Sequence, residues 1–124
     1  MTQLIANLPI DEIVSRIQQS MQPLFVIIHQ PTVNISTNQL AYITNNIQYL
    51  KHVAYVVEFE VVRTSLLESF RAVNINFAYL GFPCILLFYR QQIVYFDSGA
   101  LSISGLNELA ELAITHFSQQ SHFV

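Results

Sequence analysis

Few side chains in this sequence of 124 residues have the type and spacing to do chemistry. The one cysteine, Cys84, directly follows Pro83 and opens the apolar run Cys84 to Tyr89, so it reads either as a lone reactive thiol or as a small buried side chain. No Lys, Arg or His adjoins it to hold a thiolate, which favours the buried reading. One thiol cannot close an internal disulfide, and it can attack a disulfide without being able to release itself from the mixed product. The histidines His29, His52, His116 and His122 share no HxxxH spacing and no CxxC accompanies them, so no metal site is encoded locally. His29 stands beside the polar loop Gln30 to Ile35, where an imidazole serves as a ligand, as an acid-base group or simply as a hydrogen-bonded structural group. Ser36 has no histidine-carboxylate pair next to it in sequence, and its hydroxyl suits a helix N-cap better than a nucleophile. Glu58 and Glu60 lie two apart, so on a strand they share a face and offer an acid-base pair, with solvated strand-end charges as the simpler reading. No cofactor is implied.

Composition narrows the partners. Five Lys and Arg (Arg16, Lys51, Arg63, Arg71, Arg90) stand singly against eight Asp and Glu, which argues against nucleic acid and against an anionic membrane surface. Hydrophobic residues make up 52% of the chain, too many for disorder. The longest apolar runs nevertheless fall far short of the roughly 20 residues that span a bilayer. Met1 to Asp11 contains no basic residue and no long apolar stretch, so no signal peptide is visible, and a cytoplasmic protein is expected. No linker, charge block or repeat divides the chain, and a single domain, residues 1–124, is expected.

The elements that must position these groups are legible from periodicity. Ile10, Ile13, Val14, Ile17 and Met21 recur at helical spacing behind Pro9, and Pro23 ends the pattern. Leu24 to His29 is continuously apolar and branched, as in a central strand covered on both faces. Ser36 or Thr37 is placed to cap a second helix carrying Leu40, Ile43, Ile47 and Leu50 and ending near Lys51. Val53 to Val61 reads as a second strand, and Ser65 to about Phe77 as a third helix. Cys84 to Tyr89 and Ile93 to Phe96 form a hairpin about a turn at Arg90, Gln91 and Gln92. A last helix starts at Ser102 or Ser104, with Leu106, Leu109, Ala110, Ala113 and Phe117 on one face. The order αβαβαββα predicts an α/β fold in three layers, with helices on both faces of a mixed sheet that ends in a hairpin.

The stretch FAYLGFPCILLFYRQQIVYFDSGALSISGLNEL, Phe77 to Leu109, resembles the C-terminal half of thioredoxins. It holds an aromatic six residues before a proline, a small residue after it, LLF, a polar turn, and then GALS and a leucine. The upstream element order agrees, so the resemblance covers nearly the whole chain and implies the thioredoxin-like three-layer α/β/α sandwich. It implies a cis bond between Phe82 and Pro83 in a loop facing the functional groove, and it gives Gly99 and Ser102 the family's glycine and helix-capping serine. Aligning Leu24 to His29 with the family's core strand sets Val33, Asn34, Ile35 and Ser36 opposite CGPC. Both cysteines are therefore missing, Ile27 stands where the buried carboxylate belongs, and the chain has no Trp.

The resemblance together with these losses implies a redox-inactive member that binds a protein or peptide through the cis-proline groove, as a chaperone, adaptor or assembly factor. Its expected surface is Phe82, Pro83, Val33, Asn34 and Ile35, with His29 and Tyr79 at the rim. Two alternatives stand beside it: a monothiol redox or redox-sensing protein using Cys84, and a structural homodimer subunit. The span between the second strand and Pro83 exceeds that of a typical thioredoxin by roughly seven residues, about two helical turns. It carries the aromatic cluster Phe77, Tyr79 and Phe82, which suits core or contact surface.

Overall fold

The computed structural model describes residues 4–5, 8–63, 83–98 and 101–120. The strands are β1 (Leu4–Ile5), β2 (Leu24–His29), β3 (Val53–Glu58), β4 (Cys84–Tyr89) and β5 (Gln92–Ser98). The helices are α1 (Ile10–Gln19), α2 (Asn34–Asn45), the short α3 (Phe59–Arg63) and α4 (Ile103–Gln120). They build the expected α/β sandwich around a five-stranded sheet ordered β1-β3-β2-β4-β5. Strands β1, β3 and β2 are parallel, β4 runs antiparallel to β2, and β5 antiparallel to β4.

Burial of β2 on both faces explains why its sequence is uniformly apolar. Leu24, Val26 and Ile28 pack with Ile13 and Ile17 of α1 and with Tyr55, Val57, Leu86 and Phe88. Phe25 and Ile27 point the other way, into a cluster with Ile43 of α2, Leu106, Ala110 and Ala113 of α4, and Ile85 and Leu87. Alternation of side chains along each strand thus feeds two cores from one sheet.

Several boundaries differ from the sequence reading, each for a local reason. The two-residue β1 carries no periodic signal; it is recruited by pairing of Leu4 and Ile5 with Ala54 and Tyr55. Helix α1 stops at Gln19, where Ser20 turns into extended backbone, so Met21 lies beyond it, 62% exposed. Helix α2 begins at Asn34, with Val33 as N-cap and no side-chain cap bond, because neither Ser36 nor Thr37 caps it. It ends at Asn45, where the Asn46 side-chain amide donates to the Tyr42 carbonyl (2.9 Å), and Ile47–Tyr49 continue as a 3-10 turn. Strand β3 ends at Glu58 and not at Val61, since its neighbour β2 ends opposite it at His29 and the ladder has no further partner. The chain then coils into α3. The expected helix Ser65 to Phe77 lies outside the described residues. In the hairpin, Gln92 pairs with Tyr89, so the turn is only Arg90 and Gln91.

Helix α4 is joined to α2 by polar contacts between residues far apart in sequence. Ser102 caps it by accepting from the Gly105 N–H (3.0 Å), as the sequence predicts. Tyr42 Oη accepts from the Ile103 N–H (3.1 Å), and the buried Gln39 side chain donates to the Leu101 carbonyl (2.7 Å). Asn107 accepts from the Lys51 N–H and donates to the Tyr49 carbonyl. Among the described residues no helix is long and apolar enough to cross a membrane.

The hairpin turn generates a stability prediction. Arg90 and Gln91 adopt φ of 53° and 72°, the left-handed region that a two-residue hairpin loop needs and that side chains with a Cβ resist, at about 1–2 kcal/mol per residue. Replacing the pair by Asn-Gly is expected to stabilise the fold by roughly 1 kcal/mol, read as a higher midpoint in thermal or urea unfolding. An unchanged or lower midpoint contradicts the strain assigned to this turn.

Candidate functional site

Sheet register assembles the candidate site at the carboxyl end of the parallel strands. His29, the last residue of β2, is the register partner of Glu58, the last of β3. On the other side Ile28 pairs with Cys84, so the antiparallel register brings Pro83 alongside His29. Pro83, His29 and Glu58 therefore form a row across three adjacent strands. In open α/β sheets this carboxyl end is where ligands bind.

Helix α2 is tied to this row by Ser36. Its Oγ lies 2.8 Å from His29 Nδ1 and accepts from the Gln30 N–H at 3.1 Å. One hydroxyl proton satisfies all three groups when it is donated to Nδ1, which places the imidazole proton on Nε2. Ser36 is 1% exposed, so in this state it fastens the helix to the strand and does not present a nucleophile. Its hydroxyl serves a tertiary contact, which is why the N-cap position falls to Val33. The N-terminal turn of α2 keeps Val33 half-buried while Asn34 and Ile35 face solvent, Ile35 at 60% exposure.

Beside the row, toward β3, lies a cleft of about 460 Å³ lined by Leu8, Leu40, Val56, Val57 and Val61, with His29 and Glu58 as its polar groups. An apolar hollow holding one imidazole and one carboxylate binds and orients, and its described lining residues include no nucleophile. The pairing of Glu58 with Glu60 does not form as a strand-end dyad, because Glu60 belongs to α3.

Cys84 is fully buried, between Ile28 on β2 and Ser98 on β5. Burial pushes its thiol up to about 12, and the nearby charge of Asp97 adds to the shift. Such a thiol stays protonated at neutral pH and is a poor nucleophile. No group of three potential metal ligands occurs among the described residues. Of the expected surface, the structure gathers Pro83, His29, Val33, Asn34 and Ile35 at one end of the sheet. Phe82 and Tyr79, the bond preceding Pro83, and His122 lie outside the described residues. Sequence reasoning singled out His29 and Ser36 separately and missed their bond; seven positions separate them across a turn, and only the fold shows that they meet. Gln39 carried no signal at all.

No family model matches the sequence, and no curated protein is similar to it in sequence. Solved structures do match. Oxidised thioredoxin from Plasmodium falciparum aligns with a TM-score of 0.58 and 17% identity, over 91% of this chain and 98% of that one. Thioredoxin from Aeropyrum pernix gives a TM-score of 0.58 and 14% identity, over 86% and 84%. Trxlp from Edwardsiella tarda EIB202 gives 0.59 and 17%, over 87% and 98%. At these identities the likeness establishes the fold: this chain has the thioredoxin fold, and with a single cysteine it holds no CxxC motif.

Two outcomes are expected. Replacing Ser36 by Ala leaves the Gln30 N–H and the His29 ring without their shared partner, and is expected to destabilise the protein by about 1–3 kcal/mol; Ser36→Thr, which keeps the hydroxyl, serves as the comparison. Equal stability of Ser36→Ala and wild type in urea titration removes the tie assigned to this residue. Cys84, in turn, is expected to react with a thiol reagent only after denaturation. Labelling of native protein at the rate of a free thiol contradicts its burial.

Proposed function

We propose that this thioredoxin-fold chain is a redox-inactive binding module that receives an extended protein segment at the Pro83, His29 and α2 N-terminal end of the sheet. The observation that carries the reading is the Ser36–His29–Gln30 hydrogen-bonded knot. In the register that the sequence resemblance implies, Ser36 stands at the second cysteine of the dithiol and Val33 at the first. The position aligned with the second cysteine is here a buried structural hydroxyl, and the position aligned with the first holds an unreactive valine. The fold's recognition end is retained and its exchange chemistry has no residues to run on.

Strand addition fits such a site, because main-chain hydrogen bonds supply affinity and need no cysteine, while side-chain hollows supply selectivity. The apolar cleft beside His29 and Glu58 offers such a hollow. The exposed Ile35 adds an apolar contact on the other side of the row. A monothiol mechanism through Cys84 is disfavoured by its burial and raised pKa. The cytoplasm remains the compartment we infer.

The test combines an arrayed library of extended peptides with amide shift mapping of the hits. Binders are expected to perturb His29, Val33 to Ser36 and Cys84, and Ile35→Asp is expected to weaken them at least fivefold, equivalent to about 1 kcal/mol. In parallel, the protein is expected to show no catalytic reduction of insulin disulfides with an electron donor. Perturbations confined to the far end of the strands, or reductase activity abolished by Cys84→Ser, overturn the reading.

A further inference from the structure

A second cleft, of about 290 Å³, lies at the opposite end of the sheet, where α1 has ended and the chain enters β2 and β3. Its apolar part is formed by Leu24, Val53 and Tyr55, and its basic part by Arg16, Lys51 and His52. The concentration of basic groups is unusual for this chain. Only five Lys and Arg oppose eight Asp and Glu, yet two of the five line this one cleft from separate parts of the chain, together with His52.

The three groups differ in how they are held. Arg16 Nε lies 3.2 Å from Glu12 Oε1, and its guanidinium carbon sits 5.9 Å from the centre of the Tyr55 ring. The head is thus oriented by its Nε and one face, and the fork of terminal N–H groups is the part that a planar oxyanion matches. Lys51 is exposed and has no ion-pair partner among the described residues, while its backbone N–H is fixed on Asn107 Oδ1 at 2.8 Å. The side chain of His52 is 13% exposed, and its buried Nε2 has no hydrogen-bond partner among the described residues. A carboxylate oxygen, Glu111 Oε1 on α4, stands 3.9 Å away. Burial chiefly, and then the charge of Lys51, lower the pKa of His52 against the pull of Glu111. Glu12 therefore answers Arg16, Lys51 has no ion-pair partner among the described residues, and no carboxylate is among the described residues that line the cleft.

We propose that this cleft binds a small soluble oxyanion, a phosphate or carboxylate carried on an apolar body, with Arg16 and Lys51 gripping the anion and the Leu24, Val53 and Tyr55 surface receiving the body. Its volume suits a small ligand, near the lower end of the roughly 300–1,000 Å³ usual for such sites. Low-dielectric walls around like charges concentrate the field inside the hollow and raise the local concentration of anions. The six residues of β2 separate this end from His29 by about 17 Å, so the site is independent of the peptide-binding reading.

The experiment titrates the full chain with phenyl phosphate, benzoate and, as a neutral control, benzyl alcohol, while following backbone amide shifts. Saturable shifts centred on Arg16, Lys51, His52 and Val53 are expected with at least one anion. Lys51→Gln is expected to weaken them about tenfold, and so is added salt, whereas Ile35→Asp at the other end leaves them unchanged. Tighter binding of phenyl phosphate assigns the site to phosphate esters, and tighter binding of benzoate assigns it to carboxylates; either supports the proposal. It is overturned if neither anion gives saturable shifts there, if benzyl alcohol binds as tightly, or if Lys51→Gln leaves the affinity unaltered in a variant whose amide spectrum shows it folded.

Discussion

The described elements of this molecule are arranged about a strand that never meets water until its final residue. From Leu24 to Ile28, β2 is buried on both faces and hydrogen-bonded on both edges, to β3 and to β4. A polar side chain along that stretch is costly unless it finds a partner, and this chain places none there. The first polar group is therefore His29, and the end of the strand is also the place where function can begin. α1 and α4 are held to the sheet by the apolar faces that this strand feeds, and α2 is held in addition by a hydroxyl that reaches back to the strand's last residue and to the amide that follows it.

The layers were legible in the sequence because burial writes a period into it. Leu24 to His29, the helical spacing of Ile10, Ile13 and Ile17, and the Ser102 cap are local signals, and the structure carries each of them where periodicity and turn chemistry put them. What was not legible depends on partners distant in sequence. The ends of β3 and α2 are set by a neighbouring strand that stops and by a serine diverted from capping. The pair β1 is too short to have a period. The buried amide of Gln39 reads as an ordinary polar helix residue until its partner, 62 positions away, is known.

The candidate site was half legible. The resemblance around Pro83 and the element order grouped Val33, Asn34, Ile35 and His29 with Pro83, and the fold gathers these residues at one end of the sheet. Composition alone fixed the absence of a dithiol, since a lone Cys84 leaves no alignment in which two thiols meet. The apolar cleft beside Glu58 was not foreseen, because its walls come from four separate stretches of chain. For Glu58 the sequence offers solvated strand-end charge or, less simply, a pair with Glu60; the helical turn that begins at Phe59 rules out the strand-end pair and sets Glu58 opposite His29 across the ladder.

The Ser36 knot also bears on the compartment in which the protein can work. A helix fastened to its strand by a hydroxyl, an imidazole and an amide is indifferent to electron supply, whereas a helix that begins with a dithiol changes its covalent structure with the surrounding poise. The remaining sulfur of cysteine is sealed inside the sheet with its proton retained. Fold stability and the shape of the Pro83 end of the sheet should then be the same in a reducing cytosol and in an oxidising lumen. This scaffold can be carried across that boundary without acquiring or losing a covalent bond.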